Sequence, residues 1–340
     1  MPDSRAVPPG LRFRPPRLPE DLGALAAVMS SAAPRFPMTP ELLAERYAAA
    51  DPGLQVAERV AEVAGEVVGV GGISQQDAHE NSAAYWIRLW VGGPWQRRGV
   101  GRILLRLLED EARRLGGRRL KGEVRQDVPG ALALAGGGGY GRTWTRHESS
   151  LEITPERDFS GFDTLIAGLE AAGIVLLSIS DLGGDPQRDR QLWELDWRLL
   201  NDVPLGMTLS RSPLEVWTRQ HLQHPGFEPG LSFVALDPAR TDPQTGPYIG
   251  LSSLERQPGD FYTIGMTGVL PAYRGRGVAK ALKVQAMRAL QERIRQDGVG
   301  GTIRTFNDPP NVAMLGMNAA LGFERGPDAY RYERDLPELV

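Results

Sequence analysis

The 340-residue sequence lacks cysteine altogether, which excludes disulfide bonds, thiol nucleophiles and cysteine-ligated metal sites. Histidine is also scarce: the four are His79, His147, His221 and His224, and only the last two lie close together. Neither their number nor their spacing is typical of a zinc site. We therefore expect a protein without a bound metal.

Long apolar runs and an excess of one charge are missing as well. No stretch approaches the roughly 18 consecutive apolar residues of a membrane-spanning helix, and the first residues lack the apolar core of a secretory signal. Acidic and basic residues number 42 and 39, so the net charge is −3, without the broad basic face that binds nucleic acid. These features predict a cytoplasmic monomer or homodimer whose partners include neither nucleic acid nor a membrane.

The chain is long enough for two domains, each with its own hydrophobic core. Its pattern of apolar and turn residues breaks near 155–162 and then restarts in the same order, as in an internal duplication. We predict an N-terminal domain over 10–155, a linker with a short helix over 156–172, and a C-terminal domain over 173–340. Each half is predicted to run strand, two helices, hairpin, strand, turn, helix, strand.

The apolar periodicity and the turn residues locate these elements. The predicted elements of the first half are a strand at 11–14, helices from 22 and from 39, a hairpin over 59–73, a strand at 85–91 and a helix from 100. Those of the second half are a strand at 174–178, helices at 190–200 and 213–222, strands at 232–236, 248–254 and 261–269, a helix from 278, a strand at 301–305 and a helix at 311–320.

A turn rich in glycine and arginine occurs once in each half, five residues after a strand-terminal valine. The first copy is Gln96, Arg97, Arg98, Gly99, Val100 and Gly101, and the second is Arg274, Gly275, Arg276, Gly277, Val278 and Ala279. Glycine lets the backbone approach a ligand closely, the first N–H groups of a helix attract anions, and arginine adds charged donors. Each turn is therefore predicted to hold a diphosphate.

Two common phosphate motifs do not fit these turns. A P-loop ends in Gly-Lys-Ser/Thr, whereas Gly277 is followed by Val-Ala-Lys and no hydroxyl. The dinucleotide fingerprint has a third glycine and opens a βαβ unit, whereas both turns follow a hairpin. Neither ATP hydrolysis nor NAD binding is favoured.

The segment 269–279 resembles the acyl-CoA motif of the general N-acetyltransferase (GNAT) superfamily, written Q/R-x-x-G-x-G/A. The segment 305–323, with Asn307, Asn311 and Asn318 and the ending Leu-Gly-Phe, resembles the strand and helix that follow in that family. The resemblance occurs once per half, and the tandem arrangement is similar to two-domain acetyltransferases of the mycothiol synthase type.

The resemblance implies the fold: α+β, the three-layer α/β fold of acyl-CoA N-acyltransferases, in two tandem copies that each have a mixed, mainly antiparallel, splayed sheet flanked by helices. It also implies the activity, direct transfer of an acetyl group from acetyl-CoA to the primary amine of a small molecule without a metal. The backbone of Thr267, Gly268 and Val269 would hold the acetyl carbonyl and the pantetheine amides, and the turns would hold the pyrophosphate. An N–H at Thr267 would stabilise the oxyanion.

The resemblance is incomplete where proton transfer is concerned. Many members of the family carry a tyrosine, which protonates the departing thiolate, where this sequence has Asn318. Some place a glutamate base where this sequence has Thr263 in the second copy and Tyr85 in the first. The resemblance implies Thr267, Asn307 and Asn318 as catalytic residues and Asn311 as a cofactor-binding residue. The route of the proton stays unassigned. The residues that could replace the missing tyrosine and glutamate, directly or through water, are Glu194, Asp196, Glu255, Asp260 and Tyr262.

The two halves are unequal. Gly136–Gly139 stand where the last helix of the first half should end, and four glycines weaken a helix and supply no catalytic side chain. Because the turn of that half is intact, we expect it to bind coenzyme A as a weaker, structural or regulatory copy. We expect the C-terminal half to be the catalytic one.

The acceptor is the least determined part of the function. Trp193, Trp197, Asp202 and Trp217 lie in the helices that roof the acceptor site in this family; the tryptophans either belong to the core or line a pocket for a small amine of apolar character. A protein N-terminus or lysine is an alternative acceptor. A non-catalytic acyl-CoA-binding sensor is an alternative of a different class, since the expected tyrosine and glutamate are both missing.

Overall fold

The computed structural model describes residues 7–75, 83–183, 185–203, 211–259, 261–298 and 301–337. The chain divides into two compact units. Unit 1 consists of Met1–His147 and Pro327–Val340, and unit 2 consists of Glu148–Gly326.

Both units contain strands and helices. The strands are β1 (Arg12–Arg14), β2 (Val56–Val63), β3 (Glu66–Gln75), β4 (Ala84–Val91), β5 (Arg119–Arg125), β6 (Gly141–Ile153), β7 (Val175–Ser178), β8 (Phe233–Leu236), β9 (Tyr248–Gln257), β10 (Phe261–Val269), β11 (Gly301–Asn307), β12 (Glu324–Arg325) and β13 (Ala329–Asp335). The helices are α1 (Leu22–Ala32), α2 (Pro40–Ala48), α3 (Val100–Arg114), α4 (Pro129–Gly137), α5 (Asp163–Ala171), α6 (Arg188–Leu200), α7 (Leu214–Trp217), α8 (Val278–Asp297) and α9 (Val312–Ala320).

Unit 1 is built on a mixed sheet in the order β1-β2-β3-β4-β5-β13-β6. Its strands pair antiparallel except for β4 and β5, which run parallel. The core lies between this sheet and α3, where Leu104 and Leu108 are fully buried against Ile73 and Leu120. The apolar three- and four-residue spacing of α3 thus serves to pack one face of the helix on the sheet.

Unit 2 repeats this plan with the order β6-β11-β10-β9-β8-β7, and β12 pairs with β6. Here β10 and β11 are the parallel pair. The long helix α8 packs on the sheet through Ala281, Leu282 and Leu290, all of them fully buried. The predicted α+β fold, two tandem copies of a mixed and mainly antiparallel sheet flanked by helices, is confirmed.

Three details go beyond the sequence-based expectations. The last strand, β13, groups with unit 1, where it lies between β5 and β6 and pairs antiparallel with both; the sequence ranges assigned this segment to the C-terminal domain. The helix predicted at 213–222 is an α-helix only to Trp217 and continues as a π-helical turn over Thr218–Leu222. Helix α4 runs through Gly136 and ends at Gly137, with Gly138 as its C-cap.

Candidate active site

The central feature of unit 2 is an opening between its two parallel strands. Strand β10 pairs with β11 only over Phe261–Thr263, opposite Thr302–Arg304. Beyond this point both strands continue, β10 to Val269 and β11 to Asn307, without a recorded pairing between them in the described residues. The facing edge of β10 therefore offers backbone groups to an extended ligand. This is the splay that the family resemblance implies.

Strand β10 is also irregular on its other side, where it pairs with β9. The register shifts between Ile264 and Thr267, as in a β-bulge. The N–H of Met266 donates to the hydroxyl of Ser253 at 2.9 Å, and the hydroxyls of Thr267 and Ser252 are 3.0 Å apart. The bulge therefore lies at the start of the segment 267–269 that was predicted to contact the acyl group.

The bulge brings one of the candidate bases into the site. The carboxylate of Glu255 on β9 and the hydroxyl of Ser253 occupy the space where a β-carbon on Gly265 would be. A β-carbon at position 265 would displace these two side chains. The Glu255 carboxylate thus lies against the backbone of Gly265, at the bulge in β10.

The turn after β10 has the backbone of an anion cradle. Gly275 and Gly277 have φ angles of +76° and +83°, a conformation that glycine adopts without strain. Helix α8 begins directly after Gly277, so the first N–H groups of the helix and the positive end of its dipole lie at the turn. A β-carbon on Gly277 would collide with Leu165 of α5, whereas one on Gly275 would meet open space.

The arginines of the turn are partly engaged with the protein itself. Arg274 donates from Nε to the carbonyl of Val269 at 3.0 Å, and its guanidinium pairs with Asp202. Arg276 lies over the ring of Tyr273, 5.3 Å from its centroid. Arg274 therefore links the turn to the end of β10 by a hydrogen bond.

Three polar side chains on three elements form a buried chain beside the opening. Lys283 of α8 donates from Nζ to Oδ1 of Asn318 on α9, and Nδ2 of Asn318 donates at 2.7 Å to Oδ1 of Asn307 at the end of β11. Lys283 is 2% exposed and Asn318 is 1% exposed. Burial lowers the pKa of Lys283 to about 7.

The structure thus brings together the predicted pair Asn307 and Asn318, and it adds Lys283, which the sequence analysis missed. The signal was present in the spacing: Lys283 shares the helix face of Met287, Leu290 and Ile294, all buried. A lysine on a buried face is unusual, because charge is costly to bury. Asn311 has a different place, as the N-cap of α9: its Oδ1 accepts from the N–H of Met314 at 3.3 Å.

The helix α6 covers part of the site. Leu199 packs on Gly268, so that a β-carbon there would be 3.1 Å from it. Asp196 is buried and accepts from Nε1 of Trp217 at 2.9 Å, and its burial raises the pKa of the carboxyl group. Trp217 belongs to the core, and Trp193 donates to the carbonyl of Ser212 at 2.9 Å. These three side chains are therefore engaged in packing and hydrogen bonds.

The remaining two predicted acceptor residues, Trp197 and Asp202, line a cavity of about 640 Å³ beside the turn. Its other lining residues lie on or after α6, in the loop at Arg240, or in the segment between β10 and the turn: Glu194, Arg198, Asn201, Arg211, Arg240, Leu270, Pro271, Ala272 and Tyr273. Glu194 forms ion pairs with Arg198 and Arg211 in this cavity. The cavity therefore combines apolar surface with paired charged side chains.

Other candidates fall elsewhere. Tyr262 is buried in the core, and the hydroxyl of Thr263 accepts from Nε2 of Gln257 at 2.9 Å. Asp260 and His79 lie outside the described residues. In the part of the chain that the structure describes, no three His, Asp or Glu side chains come together as a metal site. None of the helices within those residues is long and apolar enough to cross a membrane.

Unit 1 has the same turn in a different setting. Arg97 and Gly99 have φ angles of +64° and +80°, and Gln96 donates to the carbonyl of Val91 at 2.9 Å, just as Arg274 does to Val269. Strand β4 pairs with β5 only over Ala84–Trp86, so this pair splays too. In contrast to β10, β4 pairs with β3 without a register shift from Tyr85 to Val91.

The opening of unit 1 contains a cavity of about 530 Å³. Its lining is mainly apolar and includes Leu105, Val124 and Ala135. These residues occupy the places of Lys283, Asn307 and Asn318 in unit 2: Leu105 and Lys283 are each the sixth residue of their helix, and the other two pairs match when counted from the helix N-caps Val128 and Asn311. The polar chain of unit 2 is thus replaced by apolar residues at all three positions.

Comparison with known proteins agrees with this geometry. The model of the acetyltransferase (GNAT) family matches residues 25–136 and again 195–323. The chain belongs to this family, and it is an acyltransferase with two tandem GNAT domains, as the motifs predicted.

Two relatives of known name are similar to the chain in sequence. The chain is 28% identical over 246 residues to a mycothiol acetyltransferase of Kineococcus radiotolerans, which covers 70% of this chain and 68% of that protein. It is 35% identical over 99 residues to the N-alpha-acetyltransferase RimI of Mycobacterium tuberculosis, covering 26% of this chain and 58% of that one.

Two solved structures share the fold over nearly the whole chain. A tandem GNAT protein from the clavulanic acid biosynthesis pathway superposes with a TM-score of 0.72 at 20% identity, covering 97% of this chain and 100% of that one. A GCN5-related N-acetyltransferase from Sphaerobacter thermophilus gives a TM-score of 0.65 at 17% identity, covering 98% of each chain.

Proposed function

We propose that unit 2 transfers an acetyl group from acetyl-CoA directly to the primary amine of a small molecule. The observation that carries this proposal is the bulge in β10 between Ile264 and Thr267, beside the opening between β10 and β11. A bulge redirects backbone N–H and C=O groups that would pair with the neighbouring strand in a regular sheet. In the described strands, unit 2 combines the opening, the bulge and the glycine turn, whereas β4 of unit 1 has no register shift against β3.

The residues of unit 2 fit the parts of acetyl-CoA. In the proposal, the pyrophosphate lies on the turn, where Gly275 and Gly277 keep the backbone accessible and Arg276 supplies charge. The pantetheine arm extends along the unpaired edge of β10, at Thr267, Gly268 and Val269. An N–H at Thr267 faces the acetyl oxygen and stabilises its negative charge during attack.

The chemistry needs no covalent enzyme intermediate. The amine nitrogen forms a bond to the carbonyl carbon, the C–S bond breaks, and its electron pair remains on sulfur, which then takes up a proton. The amine loses a proton, and we assign its removal to Glu255, directly or through water. Its place against Gly265 at the bulge of β10 supports this assignment.

We place the acceptor in the cavity lined by Trp197, Asp202 and Glu194, since it lies beside the turn and carries both charges. A small amine matches such a lining. The similarity to a mycothiol acetyltransferase supports a small-molecule acceptor. A polypeptide N-terminus or lysine is the competing class, supported by the similarity to an N-alpha-acetyltransferase over a shorter stretch. The proposal includes action in the cytoplasm as a monomer or homodimer, without nucleic acid or membrane partners.

The test is release of coenzyme A by the purified protein with acetyl-CoA and a panel of small amines and short peptides. Gly277→Glu should abolish release, because the side chain would collide with Leu165 and bring negative charge to the cradle. Gly99→Glu makes the same change at the corresponding turn of unit 1 and should leave the activity. Loss of turnover in Gly99→Glu alone, with the fold intact by circular dichroism, would overturn the assignment to unit 2.

A second candidate function concerns unit 1, which we propose binds an acyl-CoA without turning it over. Its turn keeps the backbone of the cradle, its cavity of about 530 Å³ is mainly apolar, and β4 shows no bulge. Calorimetric titration with acetyl-CoA tests it. Wild type should bind two equivalents, and Gly99→Glu and Gly277→Glu one each; a single equivalent in the wild type that Gly277→Glu eliminates would contradict it.

A further inference from the structure

The buried chain from Lys283 through Asn318 to Asn307 is not explained by the fold. It connects α8, α9 and β11, and two of its three members are almost completely buried. Burying a lysine and an amide costs free energy even when they are hydrogen-bonded, compared with apolar side chains of similar volume.

Unit 1 shows that the fold forms without this chain. At the same three places it has Leu105, Ala135 and Val124, and its α3, α4 and β5 form nonetheless. A need for packing alone would therefore be met by apolar residues in unit 2 as well. The polar chain occurs in the unit with the bulged strand, and Asn307 lies at the end of the strand that borders the opening.

The chain fixes the orientation of one amide. Protonated lysine only donates, so in that state Oδ1 of Asn318 faces Lys283, and Nδ2 faces Asn307 at the end of the strand that borders the opening. Of the two N–H bonds of Nδ2, one is used by Asn307, and no partner of the second is recorded among the described residues. If Lys283 were replaced by an apolar residue, the amide would be free to turn over.

We propose that Lys283 is a positioning residue for acetyl transfer, which holds the Asn318 amide so that an N–H faces the sulfur of coenzyme A as the thioester breaks. The inference rests on the proposed function, because it places the thioester in the opening of unit 2. As the C–S bond breaks, the electron pair stays on sulfur, and the N–H of Asn318 stabilises that charge without giving up its proton. The proton that sulfur finally takes comes from water.

The first experiment is a double-mutant cycle on kcat, with acetyl-CoA and the best amine of the panel. Lys283→Met and Asn318→Ala should each lower kcat about tenfold or more, while KM for acetyl-CoA changes little. Because Lys283 acts through Asn318, adding Lys283→Met to Asn318→Ala should cause no further loss. If the factors by which the two substitutions lower kcat multiply in the double variant, the proposal is wrong. It is also wrong if Lys283→Met leaves kcat unchanged.

A matched control separates this effect from general disturbance of α8. Gln291 lies two turns further along the helix, is 5% exposed, and donates to the carbonyls of Thr154 and Arg157. Gln291→Met removes a buried polar group of the same helix outside the site, so it should change thermal stability but not kcat. Asn318→Asp is the complementary variant: it keeps an acceptor for Lys283 but loses the N–H, so kcat should fall although the fold is retained.

A second readout requires no acceptor. In the Gly99→Glu background, which leaves only unit 2 to bind, the ionisation of bound coenzyme A can be followed by the ultraviolet absorbance of its thiolate. The thiol should ionise at lower pH in this protein than after adding Lys283→Met or Asn318→Ala. If the proposed amine transfer fails but this difference holds, the positioning inference stands and the proposed function does not. If the three proteins ionise bound coenzyme A alike, the inference is wrong.

Discussion

The carboxylate of Glu255 occupies the place where a β-carbon on Gly265 would be, at the bulge that interrupts the pairing of β9 and β10. The contact ties a titratable side chain to the one irregular segment of the strand that borders the opening. It gives the proposed base a defined position, and it makes residue 265 a sensitive site for substitution.

Glu255→Gln should lower kcat by about 10² to 10⁴ while acetyl-CoA still binds, since removal of a general base affects the chemical step. Gly265→Ala should have a similar but smaller effect, because the methyl group displaces the carboxylate without removing it. Steady-state release of coenzyme A measures both. Gly168→Ala, where an added β-carbon meets open space on α5, is the control and should be neutral. An unchanged kcat in Glu255→Gln would remove Glu255 from the mechanism.

The two glycines of the unit 2 turn should respond differently to alanine. Both have positive φ, so each substitution carries a strain of about 1 to 2 kcal/mol. Only Gly277→Ala also collides with Leu165, and it should therefore weaken acetyl-CoA binding more than Gly275→Ala. Adding Leu165→Ala should restore part of the affinity of Gly277→Ala, as measured by calorimetry. If both alanine variants lose the same affinity for acetyl-CoA, backbone strain alone explains the loss.

The buried Lys283 should make stability depend on pH in an unusual direction. Burial lowers its pKa to about 7, and no acidic side chain among the described residues counters this shift. The unfolded chain binds the proton more tightly, so the cost of Lys283 is largest below pH 7 and declines as pH rises toward the ordinary lysine pKa of about 10.4. Lys283→Met should thus stabilise most near pH 6 and least near pH 10.

Urea denaturation of the two proteins at a series of pH values checks this prediction. The same series on Gln291→Met should show no trend of this kind, because glutamine does not titrate. A constant difference between wild type and Lys283→Met across the range would show that the lysine keeps its ordinary pKa in the folded protein.

Asp242 should show the opposite dependence. The N–H groups of Thr245 and Gln244 and the guanidinium of Arg198 hold the pKa of its carboxyl group well below the usual range. Its stabilising effect is therefore fully present above about pH 4, the unfolded value, and is lost as pH falls through the folded value. Asp242→Asn should cost about 1 to 2 kcal/mol at pH 7.

That difference should shrink below pH 4, and denaturant midpoints measure it. Asp297→Asn, at an exposed position at the end of α8, is the matched control and should change stability little at any pH. A loss for Asp242→Asn that persists undiminished at pH 2 would mean that packing of the loop, rather than the charge, is responsible.

Much of the fold could be predicted because its signals are local. The apolar spacing of α3 and α8, the glycines at positions 99 and 277, and the valines that end β4 and β10 are all readable over a few residues. Their repetition in the same order predicts two tandem copies. The same local signals carry the family motif, which the family match then confirmed over both halves.

Tertiary structure decided what depends on residues far apart in sequence. The placement of β13 between β5 and β6 follows from backbone pairing over a distance of about two hundred residues, which no local pattern encodes. The contact of Glu255 with Gly265 depends on a register shift between two strands, and the chain from Lys283 to Asn307 on the packing of two helices and a strand. The sequence alone determined the two copies and their turns, because glycine geometry and helix periodicity are local. The difference between the copies required the fold, because it resides in which side chains meet across the opening.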